Sequence, residues 1–322
     1  MLKLKNTPNP EFVQMPNIAK VHRKRSKGGS GIRNRYLPYL LLLPVFTMII
    51  VVVFIPLLTT IIYSFQSYRL TNREEQATFI GLDNYFTLFQ DDRFLSSLVT
   101  SLIYIAGSVV GMLILALITA QIANQTFKGR SIFRATILLP WAVAPVVAAQ
   151  AWKFMFETDF GIINHLLTTL NLIERNIPWL VSSEYAMGSV IITNVWKTTP
   201  LLTLIIVSGL QTISKDLYES ADMDGASPLK KYYYITLPLI KPFILMGLIF
   251  TTLQTINVID IIYVMTGGGP GEATEIFTLY NYKVFFQYLD FGLGGAMAVI
   301  GVTVIGILIF IYGRNMNKQV NN

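Results

Sequence analysis

Long apolar segments alternate with shorter polar ones along the chain. Six of them approach or exceed 20 residues, the length with which an α-helix spans a bilayer. They cover residues 39–65, 98–123, 132–156, 185–210, 243–265 and 291–312. A transmembrane β-barrel would require ten-residue segments of alternating hydrophobicity, and these runs are too continuous for that. The pattern predicts an all-α polytopic membrane protein with six transmembrane helices.

Two local features refine this topology. Apolar residues between 81 and 94 fall near helical spacing, which predicts a short amphipathic helix at the membrane surface. Pro140 and Pro145 interrupt the third span. Membrane helices tolerate proline when neighbouring groups satisfy the carbonyls that it leaves free. The segment 266–290 contains a glycine-rich run and is expected to be a loop after the fifth span.

Composition and charge agree with a membrane protein. The 322 residues are 53% hydrophobic and 13% charged, against roughly 25% charged in soluble domains. With the N-terminus inside, 18 of the 25 Lys and Arg residues lie in inner segments and six in outer ones. Because cytoplasmic loops carry the excess of Lys and Arg, both termini are expected in the cytoplasm of a multi-pass protein in a bacterial plasma membrane. The expected divisions are a basic tail (1–36), a permease domain (37–313) and a short tail (314–322).

The net charge of +7 comes largely from the basic tail. No aromatic or folded module accompanies that charge, so we expect no nucleic-acid partner. The chain contains no cysteine, which excludes disulfides and thiolate metal sites. No apolar region ending at a cleavage site begins the chain, so no cleaved signal peptide is expected.

The longest patterned polar segment between spans is 217–238, within the loop 211–240. It begins with helix-forming residues, turns at Asp224-Gly225, restarts at Ser227-Pro228 and is expected to stop at Pro238. Gly225 suits the positive φ that ends a helix, and the small residues Ser220 and Ala221 allow close approach of another backbone. The residues alone leave two readings open: a linker that packs on its own spans, or a docking site for a separate cytoplasmic protein.

This segment resembles the EAA motif of ABC-importer permeases, E-A-A-x-x-x-G followed by I-x-L-P. The matching positions are Glu219, Ala221, Gly225, Ile235, Leu237 and Pro238. Ser220 replaces the first alanine with another small residue. Further blocks resemble the carbohydrate-uptake branch related to maltose and glycerol-phosphate permeases, and they occur in the same order at 79–85, 138–156, 161–164, 264–270 and 291–298. The resemblance covers about 36–313.

The resemblance implies a transport subunit rather than an enzyme. It implies a heterodimer with a second homologous permease in the lipid bilayer. It also implies two cytoplasmic ATPase subunits and an extracytoplasmic solute-binding protein, which together would form a sugar importer. ATP and Mg would be bound by the ATPases, and this chain would carry no cofactor. The residues expected to couple to the ATPases are Glu219, Ser220, Ala221, Asp224, Gly225 and Ala226.

Polar residues inside spans are candidates for a substrate path, because intramembrane polar groups usually face a cavity or a partner. The candidates are Asn194, Lys197, Gln254, Asn257 and Asp260. Gln254, Asn257 and Ile261 would share one helical face. Asn and Gln also bridge helices, and Lys197 with Asp260 is the candidate for a structural pair or gate.

The outer run Gly267, Gly268, Gly269 and Pro270 is a candidate contact for the binding protein, or only a tight connection. It lacks the Lys-Ser/Thr of a phosphate loop, so it is not expected to hold ATP, and the resemblance implies that the energy for transport comes from another chain. Two other functions stay open from the residues: an ion-driven secondary transporter and a membrane scaffold. The solute is expected to be a sugar, with a related polar solute such as glycerol phosphate as the alternative.

Overall fold

A computed structural model describes residues 33–71 and 77–320, apart from the side chains of 33–37, 308 and 311–320. The predictions for residues 1–32 and for the side chains of the C-terminal tail lie outside this part of the chain. The described residues form two units, one up to Ile55 and one from Pro56 onward.

The elements are predominantly helical. The first unit contains α1 (Arg33–Ile49) and a π-helical turn (Ile50–Phe54), and α2 (Ile55–Ser64) begins at the boundary. A short antiparallel pair follows, β1 (Gln66–Ser67) and β2 (Thr78–Phe79), with Gln66 opposite Phe79. The remaining helices are α3 (Asp83–Gln90), α4 (Asp92–Asn124), α5 (Arg130–Ala142), α6 (Pro145–Met155), α7 (Ile162–Thr169), α8 (Ser183–Leu210), α9 (Lys215–Met223), α10 (Pro228–Lys231), α11 (Leu237–Asn257), α12 (Asp260–Met265), α13 (Phe277–Phe286) and α14 (Phe291–Val320).

Among the described residues, four helical stretches are long and apolar enough to cross a membrane: Pro38–Ser64, Asp92–Asn124, Ser183–Leu210 and Pro228–Asn257. A fifth candidate is the pair α5 and α6, which meet at 98° near the two prolines of the third predicted span. The apolar part of α14, Phe291–Ile307, is shorter. The polytopic helical architecture is confirmed at this level, and α3 confirms the short helix expected within 81–94.

Two π-helical turns each precede a proline. The N–H groups of Ile55 and Leu237 donate to carbonyls five residues earlier, and Pro56 and Pro238 follow directly. Proline has no N–H, and in a regular helix its ring clashes with the carbonyl four residues before it. The wider turn accommodates the ring. The prediction that the helix stops at Pro238 is therefore wrong, because the membrane-length helical stretch Pro228–Asn257 runs through it.

The fifth predicted span, 243–265, is also interrupted. α11 ends at Asn257, Val258 has extended ψ (111°), and α12 starts at Asp260. Two adjacent β-branched residues, Val258 and Ile259, favour the break. The Thr278 hydroxyl donates to the Ile256 carbonyl at 2.8 Å and satisfies a group that the broken helix leaves open. The outer segment expected to be a loop contains α13, which the glycine-rich start obscured.

The core of the second unit lies where α4, α8 and α11 pack together. Met112, Ala116 and Ala120 recur every four residues on α4 and pack with buried residues of the other two helices. Gly107 and Gly111 bring α4 close to α8, because an added Cβ would lie 2.8 Å from Ile191 and 2.9 Å from Val195. Small residues at such contacts are typical of membrane helix packing.

Candidate functional site

The segment with the EAA-like pattern is a helix–turn–helix. The Ser214 hydroxyl caps α9 by accepting from the Asp216 N–H at 3.3 Å. At the other end, the Gly225 N–H donates to the Asp222 carbonyl (3.0 Å) and the Ala226 N–H to the Ala221 carbonyl (2.9 Å). With Gly225 at φ +71°, these are the two bonds of a Schellman motif. The turn predicted at Asp224-Gly225 is confirmed.

Side chains close the segment onto the helix that follows. The Ser227 hydroxyl caps α10, whose first residue is Pro228. Lys231 forms an ion pair with Asp222 at 2.6 Å, and the hydroxyls of Tyr218 and Thr236 lie 2.8 Å apart. Two separate contacts, Lys231–Asp222 and Tyr218–Thr236, therefore define the orientation of α9 relative to α10 and the start of α11.

One face of α9 is exposed. Glu219 and Ser220 are exposed, and the apolar Met223 has 89% of its surface exposed. Ala221 and Ala226 are half-buried, whereas Asp224 and Gly225 are exposed. Met is enriched in protein interfaces, whereas Asp and Glu are depleted there, so the exposed Met223 is the feature that favours docking. The geometry therefore favours docking over the reading in which this segment only packs on its own spans.

The intramembrane polar candidates do not form one group. Asn194 is 1% exposed; its Oδ1 accepts from the Thr198 hydroxyl at 3.3 Å, and its Nδ2 has no hydrogen-bond partner among the described residues. Lys197 is half-buried. Beside it, Trp196 contacts Trp152 with ring centroids 5.7 Å apart.

Gln254, Asn257 and Asp260 are exposed where α11 ends and α12 begins. The prediction that Ile261 shares their face is wrong, because the break at Val258 turns Ile261 into the core, where it is fully buried. Asn257 Nδ2 donates to the Leu253 carbonyl at 2.8 Å. In the described part of the chain, Lys197 and Asp260 form no ion pair with each other, so the predicted pair is absent from this conformation.

The glycine-rich loop that was predicted to lie outside is tightly folded. Gly267, Gly268 and Gly271 have positive φ, and an added Cβ at Gly268 would lie 3.1 Å from both Leu279 and the Lys283 amine. The hydroxyls of Thr266 and Thr274 lie 2.7 Å apart, and Thr274 also donates to the Gly269 carbonyl at 2.8 Å. Pro270 is half-buried at the loop's tip. The loop therefore presents a preformed surface.

An ionic cluster that the sequence analysis missed lies beneath this loop. The Glu275 carboxylate is 1% exposed and accepts from Arg93 through two bonds, 2.6 and 3.0 Å, and from Lys283 at 2.5 Å. Lys283 also donates to the Gly267 carbonyl at 2.9 Å. Burial raises the pKa of Glu275, but the hydrogen bonds from Arg93 and Lys283 outweigh it, so this pKa lies below its ordinary value.

Two further contacts complete the cluster. Arg93 lies over the Tyr280 ring at 5.0 Å, within cation–π range, and also pairs with Glu272 at 3.0 Å. The Tyr280 hydroxyl donates to Asp91 at 2.7 Å; burial, and then this bond, raise the pKa of Tyr280. Arg93 and Glu275 are 182 residues apart, so no local sequence pattern joins them.

The described residues contain no group of three or more His, Cys, Asp or Glu side chains that could hold a metal ion. His165 is exposed on α7. The candidate sites thus consist of surfaces and hydrogen-bonding side chains.

Comparison with known proteins gives a consistent result. The family described as "binding-protein-dependent transport system inner membrane component" matches residues 112–322. A trehalose/maltose transport permease of Thermococcus litoralis is 36% identical over 87% of this chain and 93% of that protein. An sn-glycerol-3-phosphate transport permease of Yersinia pestis is 34% identical over 90% and 97%.

Among solved structures, a bacterial ABC transporter involved in alginate import is similar in fold. It matches with a TM-score of 0.75 and 21% identity, covering 89% of this chain and 97% of that chain. A second structure of a bacterial alginate transporter, in complex with a periplasmic protein that carries an alginate pentasaccharide, gives a TM-score of 0.76 at 20% identity over 90% and 96%.

Proposed function

Because the chain belongs to the family of binding-protein-dependent transport system inner membrane components, we propose that it is a permease subunit of an ATP-driven sugar importer. It is a membrane transport component and not an enzyme. The observation that carries the sugar assignment is the set of relatives named for trehalose, maltose and sulfoquinovosyl glycerol transport, each matched over most of both chains. A glycerol phosphate is the second candidate solute, since one relative is named for it.

In this proposal α9 and its turn receive the motion of an ATPase subunit. The segment Glu219 to Ala226, most of which is exposed, enters a cleft of the ATPase, and the contacts Lys231–Asp222 and Tyr218–Thr236 pass the displacement to the fifth span. A second homologous permease supplies the other half of the path and docks the second ATPase. Both termini lie in the cytoplasm together with α9, as the Lys and Arg distribution supports. ATP and Mg belong to the ATPases.

The path runs along the surface that exposes Gln254, Asn257 and Asp260, facing the second permease. Exposed amide and carboxylate groups at this depth favour a wet cavity over lipid. Lys197 and Trp196 border the same path, with an aromatic ring available to the apolar face of a sugar. Asn194 is buried in the same helix as Lys197, and its Nδ2 has no hydrogen-bond partner among the described residues. On the outside, the preformed loop Gly267 to Pro270 contacts the solute-binding protein.

Two alternatives make different predictions. A secondary transporter would use paired ionisable groups at mid-membrane, and the described residues show no pairing of Lys197 with Asp260. Its uptake would persist without ATP and collapse with the ion gradient. A scaffold would assemble with its partners without substrate-stimulated ATP hydrolysis.

The coupling assignment is tested in the complete importer by Glu219→Ala, with Glu184→Ala as the matched control. Both carboxylates are exposed on helices, but Glu184 lies in the first turn of α8, at the opposite end of that helix from α9. Stimulation of ATP hydrolysis by loaded binding protein is expected to fall with Glu219→Ala and to persist with Glu184→Ala. Equal stimulation in both variants would refute the coupling role of Glu219.

A further inference from the structure

The N-terminal end of α13 is attached to two membrane helices at once. The Phe277 N–H donates to the Ser101 hydroxyl of α4 at 2.7 Å. At the next residue, the Thr278 hydroxyl donates to the Ile256 carbonyl near the end of α11 at 2.8 Å. Two residues before α13, Glu275 binds Arg93 at the start of α4. This helix therefore joins the outer loop to the place where α11 breaks.

At the end of α13 nearest the glycine-rich loop, the contacts are ionic and centred on the buried Glu275 carboxylate. Glu275 accepts three charge-assisted bonds, two from Arg93 and one from Lys283, and Lys283 holds the Gly267 carbonyl of the outer loop. Charge-assisted and bidentate bonds are stronger and more directional than neutral ones. A displacement of the loop is thus transmitted to α13 and to α4.

At α11, the contact is the hydrogen bond between the neutral Thr278 hydroxyl and the Ile256 carbonyl, and it lies beside a cavity. This cavity has a volume of about 460 Å³ and is lined in part by Tyr104, Ile256, Asn257, Thr278 and Asn281. The Tyr104 hydroxyl and the Asn281 Oδ1 are buried and have no partner among the described residues. Close-packed interiors resist movement, whereas the end of α11 has room to shift when Thr278 moves.

We propose that Glu275 and Thr278 are positioning residues that link the outer loop to Asn257 at the substrate path. Glu275, through Lys283, holds the loop and α13 together so that they move as a unit. Through its bond to Ile256, Thr278 makes the end of α11 move with that unit. Contact of a binding protein with the loop would then set the orientation of Asn257 and Gln254. The inference rests on the proposed function for its physiological meaning, whereas the mechanical link is a property of this chain.

The functional test uses the complete importer with Thr278→Val, which removes the hydroxyl at nearly constant volume, and Thr278→Ser, which keeps it. With Thr278→Val we expect the ATP hydrolysed per solute transported to rise about fivefold, the factor that the loss of one net hydrogen bond corresponds to. Half-saturation by binding protein stays unchanged, because the loop itself is intact. Thr278→Ser restores the ratio, which a nonspecific loss of stability would not explain.

The ionic contacts are tested by Glu275→Gln against Glu272→Gln. Both carboxylates bind Arg93, but Glu272 is 48% exposed and makes one contact of 3.0 Å. We expect Glu275→Gln to raise both the ATP-to-solute ratio and the half-saturating concentration of binding protein at least fivefold. Glu272→Gln should change each less than twofold, as expected for an exposed pair.

A second readout needs no solute. Because the chain has no cysteine, Asn257→Cys provides one labelling site in this chain, and Glu184→Cys, at an exposed position in the first turn of α8, provides a control site. Thr278→Val and Glu275→Gln should each change the maleimide labelling rate at position 257 about fivefold and leave position 184 unchanged.

Unchanged labelling at 257 in both variants would overturn the proposed link. A wild-type importer that moves no sugar or glycerol phosphate would instead refute the proposed function, and the labelling rates would still decide the link.

Discussion

Gly225 offers a direct way to vary the coupling turn by substitution at one position. Its φ is +71°, and an added Cβ there would meet no atom within 4 Å. Alanine therefore introduces only the cost of a left-handed conformation, about 1–2 kcal/mol. Asparagine tolerates this conformation and should behave nearly as glycine does. Proline forces a negative φ and also removes the N–H that binds the Asp222 carbonyl at 3.0 Å, at about 3 kcal/mol or more.

A loss of one to two kcal/mol lowers the ratio of ordered to frayed turn by a factor of roughly 5 to 30. The assay measures binding-protein-stimulated ATP hydrolysis and solute uptake together in the intact importer. We expect coupling to follow the order Gly, Asn, Ala, Pro, from strongest to weakest. Gly188→Ala is the control, since Gly188 lies within α8 with no atom within 4 Å of an added Cβ. Wild-type coupling with Gly225→Pro would refute the role of this turn.

Three further predictions concern stability and pH. Gly209→Ala should lower the apparent melting temperature in detergent, because the new Cβ would lie 2.7 Å from the Phe243 ring and overpacking costs about 1–3 kcal/mol. Asn164→Leu should lower it further, because it removes four hydrogen bonds, including the 2.9 Å bond from the Trp179 indole, at about 1 kcal/mol each. Glu275→Gln should destabilise the protein equally at all pH values between about 6 and 8, since the native pKa of Glu275 is lowered and its contribution is complete above the unfolded value of about 4.3.

Each of these predictions has a matched control. Gly188→Ala should be neutral or stabilising, His165→Ala should have little effect beside the buried Asn164, and Glu272→Gln should be nearly silent. For the pH prediction, the difference between wild type and Glu275→Gln should begin to shrink only below the unfolded pKa of about 4.3 and should be lost as the pH falls through the lowered native pKa. A difference that already vanished between pH 8 and 6 would contradict the assigned direction of the shift.

Features with a local cause were predictable from the sequence. Gly225 marked the end of α9 because glycine adopts positive φ without strain, and Ser227-Pro228 marked the restart because serine caps and proline begins helices. Pro140 and Pro145 located the interruption of the third span. They did not give the 98° angle between α5 and α6, which depends on packing with α8 and α12.

The missed features depend on distant partners. The break at Val258 is stabilised by Thr278, which is 22 residues beyond Ile256, and hydropathy continues through it without change. α13 is rich in aromatic residues, which are enriched in strands, and it follows a glycine-rich loop. The charges of Arg93, Glu275 and Lys283 looked like ordinary outer residues until the fold brought them together.

The most direct test of the central claim is uptake of radiolabelled trehalose or maltose into proteoliposomes that contain the complete importer with ATP and Mg inside. Our account predicts uptake only when both ATP and the solute-binding protein are present, and uptake that persists when ionophores abolish proton and sodium gradients. Sugar uptake that proceeded without ATP and stopped with the ionophores would contradict it.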